Sequence, residues 1–95
     1  MTDLTKLYKS EEQWCKGIGD GSCSCIVQRM LQLNYPGTLH TKIQRAAQAL
    51  FPNRGGTKGH SEYYSFVAFN DHPDTTFADV QAVLKRAQEL LEAAT

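Results

Sequence analysis

Apolar residues recur at steps of three and four along the last part of the chain: Phe77, Val80, Val83, Leu84, Ala87, Leu90, Leu91 and Ala94. That spacing draws one stripe on a helix, and Asp79, Gln81, Lys85, Arg86, Gln88, Glu89 and Glu92 fall mostly on the other side. The pattern predicts an amphipathic helix from about Phe77 to Ala93. Thr76 followed by Asp79 has the arrangement of a capping box and marks its start. Burying this stripe is expected to be the largest single contribution to the core.

Leu39, Ile43, Ala46, Ala47 and Leu50 keep the same spacing and predict a second helix over Leu39–Leu50, with Thr38 as its N-cap. Pro52 ends it, because the residue before a proline is pushed out of the α region. The small side chains of Ala46, Ala47 and Ala49 would let another helix approach closely. A third helix is predicted over residues 24–34, with Ile26, Val27, Met30, Leu31 and Leu33 as its apolar set, and Asn34-Tyr35-Pro36-Gly37 reads as a turn.

Near the start, Leu4, Leu7 and Tyr8 suggest a short helix. Two readings then stay open: Ser10 and Gln13 cap a continuation through Trp14, or residues 14–18 are extended and end at the Asp20-Gly21 turn. Residues 52–58, with Gly55-Gly56, form a loop. The β-branched and aromatic run Tyr63-Tyr64-Ser65-Phe66-Val67-Ala68-Phe69 permits a short strand or a helical turn. Asn70-Asp71-His72-Pro73-Asp74 is turn chemistry leading into the last helix. The fold class is therefore mainly α: a bundle of about four helices, with room for a short strand or hairpin near 14–19 and 63–69.

Size and charge sharpen this picture. Ninety-five residues, 41% hydrophobic and 21% charged, are expected to form one domain spanning 1–95. No run approaches the length of a membrane span, and the first residues lack an apolar signal region, so a cytoplasmic protein is expected. Net charge is zero but unevenly spread. Residues 1–20 carry four acids against three lysines. Residues 21–61 hold no acid, only Arg29, Lys42, Arg45, Arg54 and Lys58. Residues 62–95 hold six acids against Lys85 and Arg86.

Several residues stand in a familiar order: Trp14 then Gly17, Cys25-Ile26-Val27 opening an apolar helix, and Phe69-Asn70-Asp71-x-Pro73 leading to Thr76-x-x-Asp79-Val80. This resembles a family of small bacterial and phage proteins of unknown function. Its pattern runs roughly Trp-x-x-Gly, Cys-Leu-Leu-Gly-Ala, then Trp-Asn-Asp-x-Pro-x-x-Thr. Phe69 stands where that family favours Trp, Gln28 stands where a Gly is usual, and the segment between Ile18 and Cys25 is shorter. The resemblance implies a bacterial or phage setting, a structural-motif role for Trp14, Cys25, Asn70, Asp71 and Thr76, and no particular activity.

Each candidate chemistry has a plainer competitor. Cys15, Cys23 and Cys25 are spaced C-x7-C-x-C, without the paired knuckles of structural zinc, so no metal site is expected. The odd count and missing export signal argue against a disulfide framework. Cys25 in a first helical turn would favour a thiolate, but nothing in the spacing places His40, His60 or His72 beside it as a base. Asn70, Asp71 and Asp74 suit turn and helix-start chemistry better than catalysis. The run Gly55-Gly56-Thr57-Lys58-Gly59 is not a phosphate-binding loop of the G-x4-G-K-[ST] type.

Two function classes follow. One is a non-catalytic interaction protein, such as a phage or prophage accessory that modulates a host protein, a host-defence inhibitor for example. The other is a binder of a phosphorylated small ligand or nucleic acid through the basic segment 42–60, using Lys42, Arg45, Arg54, Lys58, His60 and Tyr63. Catalytic residues and cofactors are not expected. The partner is a host protein or a second copy of the chain.

Overall fold

The computed structural model describes residues 3–16, 23–54 and 66–93. These form a mainly α structure of four helices: α1 (Ile26–Gln32), α2 (Leu39–Leu50), α3 (Phe66–Asp71) and α4 (Phe77–Ala93), preceded by 3-10 turns at Leu4–Lys6 and Glu11–Gln13. Helix α4 buries Phe77, Val80, Val83, Leu84 and Ala87, while Leu90 and Leu91 pack partly against the same core. Its start is the expected capping box. Thr76 Oγ1 accepts from the Asp79 amide at 3.2 Å, and Asp79 Oδ2 accepts from the Thr76 amide at 3.1 Å.

Helix α2 packs chiefly on α4, burying Leu39, Ile43, Ala46 and Ala47. Ala49 and Leu50, expected on the same surface, are exposed, because the buried arc is narrower than the apolar set. Thr38 is the N-cap residue but makes no side-chain cap bond. Phe51 closes α2 and stacks on Phe69 with ring centroids 5.3 Å apart.

Helix α1 is shorter than the spacing predicts. It ends in a left-handed Asn34 at φ 58°, with the Asn34 amide donating to Leu31 O and the Tyr35 amide to Met30 O, at 3.2 and 2.9 Å. This is the helix-ending motif that lets Asn replace Gly. Ile26 and Met30 are buried, but Leu31 is 67% exposed and Leu33 41%. Both were expected in the core. Only the Ile26–Met30 side faces α3 and the body, so Leu31, roughly a quarter turn away, faces outward.

The open choice at 66–69 resolves to helix: α3 buries Phe66, Phe69 and Asn70. Residues 63–65 and 17–19 lie outside the described residues. Near 14, extended structure is limited to a parallel bridge between Trp14 and Ser24, so no strand or sheet forms among the described residues. The chain start is held by a distant side chain: Gln88 Oε1, on α4, accepts from the Leu4 amide at 2.9 Å. No helix among the described residues is long and apolar enough to cross a membrane.

Candidate functional site

The motif residues Trp14, Cys25, Asn70 and Asp71 converge where α3 meets α1. Asn70 is wholly buried. Its Oδ1 accepts from Trp14 Nε1 at 2.6 Å and from the Ile26 amide at 3.3 Å. Its Nδ2 donates to the Cys15 carbonyl at 3.1 Å and to Asp71 Oδ1 at 3.0 Å. An amide side chain offers two donors and two acceptor sites, and all four are used. Cys25 is the residue before α1, so the Ile26 amide that Asn70 accepts is one of that helix's unpaired first-turn donors. Trp14 also lies against Phe77, centroids 6.1 Å apart. This constellation ties three chain segments together.

Tyr8 sits beside it. Its hydroxyl donates to the Ser24 carbonyl at 2.7 Å. Burial, followed by the neighbouring Cys25, pushes the phenol well above its ordinary value, against a smaller opposing effect of Arg29.

The cysteines require a correction. Cys15 and Cys23 are joined in a disulfide, with Cα atoms 5.5 Å apart, whereas the sequence argued against a bridge. An odd count forbids complete pairing but not one bond and one free thiol. The Trp14–Ser24 bridge supplies the closeness: the Ser24 amide donates to Gln13 O at 2.8 Å and the Cys15 amide to Ser24 O at 3.4 Å. Cys25 remains a free, half-buried thiol. Among the described residues, no three His, Cys, Asp or Glu side chains gather where a metal ion would be held.

The basic set is divided. Arg54 pairs with Asp79 at 2.6 Å and lies over the Phe51 ring, 4.6 Å from its centroid. Burial pushes the Asp79 carboxyl up, but hydrogen bonds from Arg54 and Thr76 outweigh it and hold the group below its ordinary value. Arg29 donates to the Leu7 carbonyl at 2.9 Å and to Gln13 at 3.3 Å. Lys42 is half-buried on α2 and Arg45 is exposed. Arg45 makes no ion pair among the described residues. Lys58, His60 and Tyr63 lie outside the described residues.

Arg45 lines an open groove of about 360 Å³ with His40, Thr41, Gln44 and Phe66. The groove has a built edge. The Phe66 amide donates to Gln44 Oε1 at 3.0 Å, and the His40 and Phe66 rings meet edge-on with centroids 5.4 Å apart. Sequence reasoning pointed to Arg45 but missed Thr41, Gln44 and Phe66 as its neighbours. The α2 periodicity does place 40, 41, 44 and 45 together on one flank.

No curated protein and no solved structure matches the chain. A family model described as a family of unknown function, DUF6197, matches residues 10–90. The match takes in every residue of the Trp14–Asn70 constellation and both faces of α2, and on it the chain belongs to the DUF6197 family of unknown function.

Proposed function

We propose that the protein is a small non-catalytic interaction module that docks on a protein partner through the outward side of α1. The observation that carries this is Leu31, 67% exposed on the side of α1 turned away from Ile26 and Met30; Leu33, 41% exposed, stands at the helix's C-terminal end. Covering a leucine fully is worth about 1.5–3 kcal/mol, and most of that remains unrealised at Leu31 in the isolated chain. The helix is fixed beneath by Ile26 and Met30 and closed by Asn34, so Leu31 is presented on a firm base.

The motif resemblance supports a bacterial or phage setting with a host protein as partner, and the lack of a span-length apolar run or an apolar signal region in the sequence supports the cytoplasm as the place of action. A phage or prophage accessory that modulates a host protein, such as a host-defence inhibitor, fits this reading. The test is a tagged pull-down from nuclease-treated bacterial lysate, with wild type beside a Leu31→Asp/Leu33→Asp variant shown by circular dichroism to be folded. A stoichiometric protein kept by wild type and lost by the variant is the expected result. Equal capture by both would refute the surface.

A second reading rests on the α2 groove. Arg45, uncommitted to any acid among the described residues, faces it with Thr41 and His40, a set suited to a small phosphorylated ligand. Mononucleotides should then raise the melting temperature of wild type, and Arg45→Glu should abolish the shift. A shift of the same size in the variant would dismiss this reading.

A further inference from the structure

The disulfide closes a ring across residues 16–22, and its neck is where Asn70 takes its partners. The Cys15 carbonyl accepts from Asn70 Nδ2 at 3.1 Å, and Asn70 Oδ1 takes the Trp14 indole at 2.6 Å and the Ile26 amide at 3.3 Å. The covalent bond joins the two chain segments that carry these groups. Cys15 and Cys23 are both half-buried rather than sealed in the core. In intracellular proteins of mesophiles, disulfides are mostly transient, catalytic or redox-sensing.

We propose that Cys15–Cys23 is a reversible redox switch that sets how firmly the Trp14–Asn70 constellation is held. It is opened by a protein dithiol of the thiol–disulfide exchange type. One thiolate of that dithiol attacks a ring sulfur, the Cys15–Cys23 bond breaks, and a mixed disulfide forms. The second thiol of the dithiol then displaces the chain's cysteine. Two electrons and two protons pass to Cys15 and Cys23, and the dithiol leaves as a disulfide. Exchange with an oxidised partner of the same class reverses the step. Cys25 takes no part and stays a thiol in both states. The inference rests on the cytoplasmic setting proposed above, but not on the docking surface.

Opening the ring frees the unfolded chain of a constraint worth on the order of 70-fold in the folded-to-unfolded ratio. In a chain of 95 residues that corresponds to a fall in melting temperature of roughly 10 °C or more.

The test uses the full chain, equilibrated in glutathione buffers running from oxidised to reduced. Samples are acid-quenched, unfolded, alkylated with iodoacetamide and weighed intact. One adduct, at Cys25, is expected at the oxidised end and three at the reduced end, with the change falling among the ratios of a cytosolic glutathione pool. Three adducts throughout would show that the bond does not form. One adduct throughout would show a permanent staple, and either result overturns the switch. Melting the same samples tests the consequence. Reduced wild type and a Cys15→Ser/Cys23→Ser variant should melt together, below oxidised wild type. Cys25→Ser should keep the response to reductant. Equal melting temperatures for oxidised and reduced wild type would also overturn the proposal.

Discussion

Replacing Asn70 by Ala tests whether the buried amide is a structural hub. The side chain is wholly buried and uses all four of its hydrogen-bonding sites. Alanine leaves the Ile26 amide without an acceptor inside the protein, at a cost of about 1–3 kcal/mol. The Trp14 indole N–H, only part-buried, loses its partner at the lower end of that range. The missing side chain also leaves a small cavity costing about 1 kcal/mol. Together these predict a loss of about 3–5 kcal/mol, a large share of the ~5–15 kcal/mol typical of a domain. The melting temperature should fall by roughly 15–30 °C.

Urea unfolding followed by tryptophan fluorescence reads this directly, since Trp14 is the chain's one tryptophan. Asn70→Asp separates hydrogen bonding from packing. It keeps the Oδ1 acceptor but turns a carboxylate oxygen toward the Cys15 carbonyl and the Asp71 carboxylate that Nδ2 now contacts. At pH 7 it should cost at least as much as alanine. Burial and Asp71 raise the introduced carboxyl's folded pKa, so its stability is fully present below the unfolded value, about 3.9, and is lost as pH rises. Acidification should therefore recover part of the loss relative to alanine. A loss under about 1 kcal/mol for Asn70→Ala would refute the hub, because a buried amide making four bonds cannot be removed so cheaply.

Two further outcomes follow from the ionisable groups. The Asp79 carboxyl is held below its ordinary value in the folded state, so its contribution is present above about pH 4 and lost as pH falls through the folded pKa. Asp79→Asn should cost about 1–2 kcal/mol at pH 7, and the gap to wild type should close in acid; a gap that stays constant to pH 2 would be the wrong sign. The Tyr8 phenol is raised above its ordinary value, so its contribution is whole below about pH 10 and declines as pH rises beyond that. Tyr8→Phe should cost about 1 kcal/mol at neutral pH through the lost bond to Ser24, and chemical denaturation from pH 9 to 11 should show a flatter alkaline decline than wild type.

How much was legible depended on whether the cause was local. Helix α4 runs over Phe77–Ala93 and α2 over Leu39–Leu50, as their spacing implied, because stripe, cap and proline stop all lie within a few residues of each other. The Thr76–Asp79 capping box is three residues long and readable for the same reason. The Asn70 bonds to Trp14 and Ile26 span 56 and 44 residues, and the Gln88 bond to Leu4 spans 84. No periodicity encodes such pairings. The motif resemblance singled out Trp14, Cys25, Asn70 and Asp71 as a set, but the meeting of Trp14, Asp71 and the Ile26 amide beside Cys25 at the Asn70 side chain is a tertiary fact. The exposure of Leu31 was hidden for the opposite reason. Its spacing suits a core, and only the position of α3 decides which side of α1 is covered.

The same distinction reshapes the charge map. The acid-free stretch from 21 to 61 looks in sequence like a basic face. In space, Arg29 is spent on the Leu7 carbonyl and Gln13, where a guanidinium satisfies backbone that a turn leaves open. Arg54 is neutralised by Asp79 at the start of α4, so one of the five cations is cancelled by an acid from the negative C-terminal third. What α2 itself offers an anion is Lys42 and Arg45, and of these only Arg45 lines the groove. A phosphate site normally gathers several donors around its charge, and here Arg45 is the one cation lining the groove among the described residues. The exposed leucines of α1 have no comparable internal claim on them, and that asymmetry is why the docking surface stands ahead of the groove.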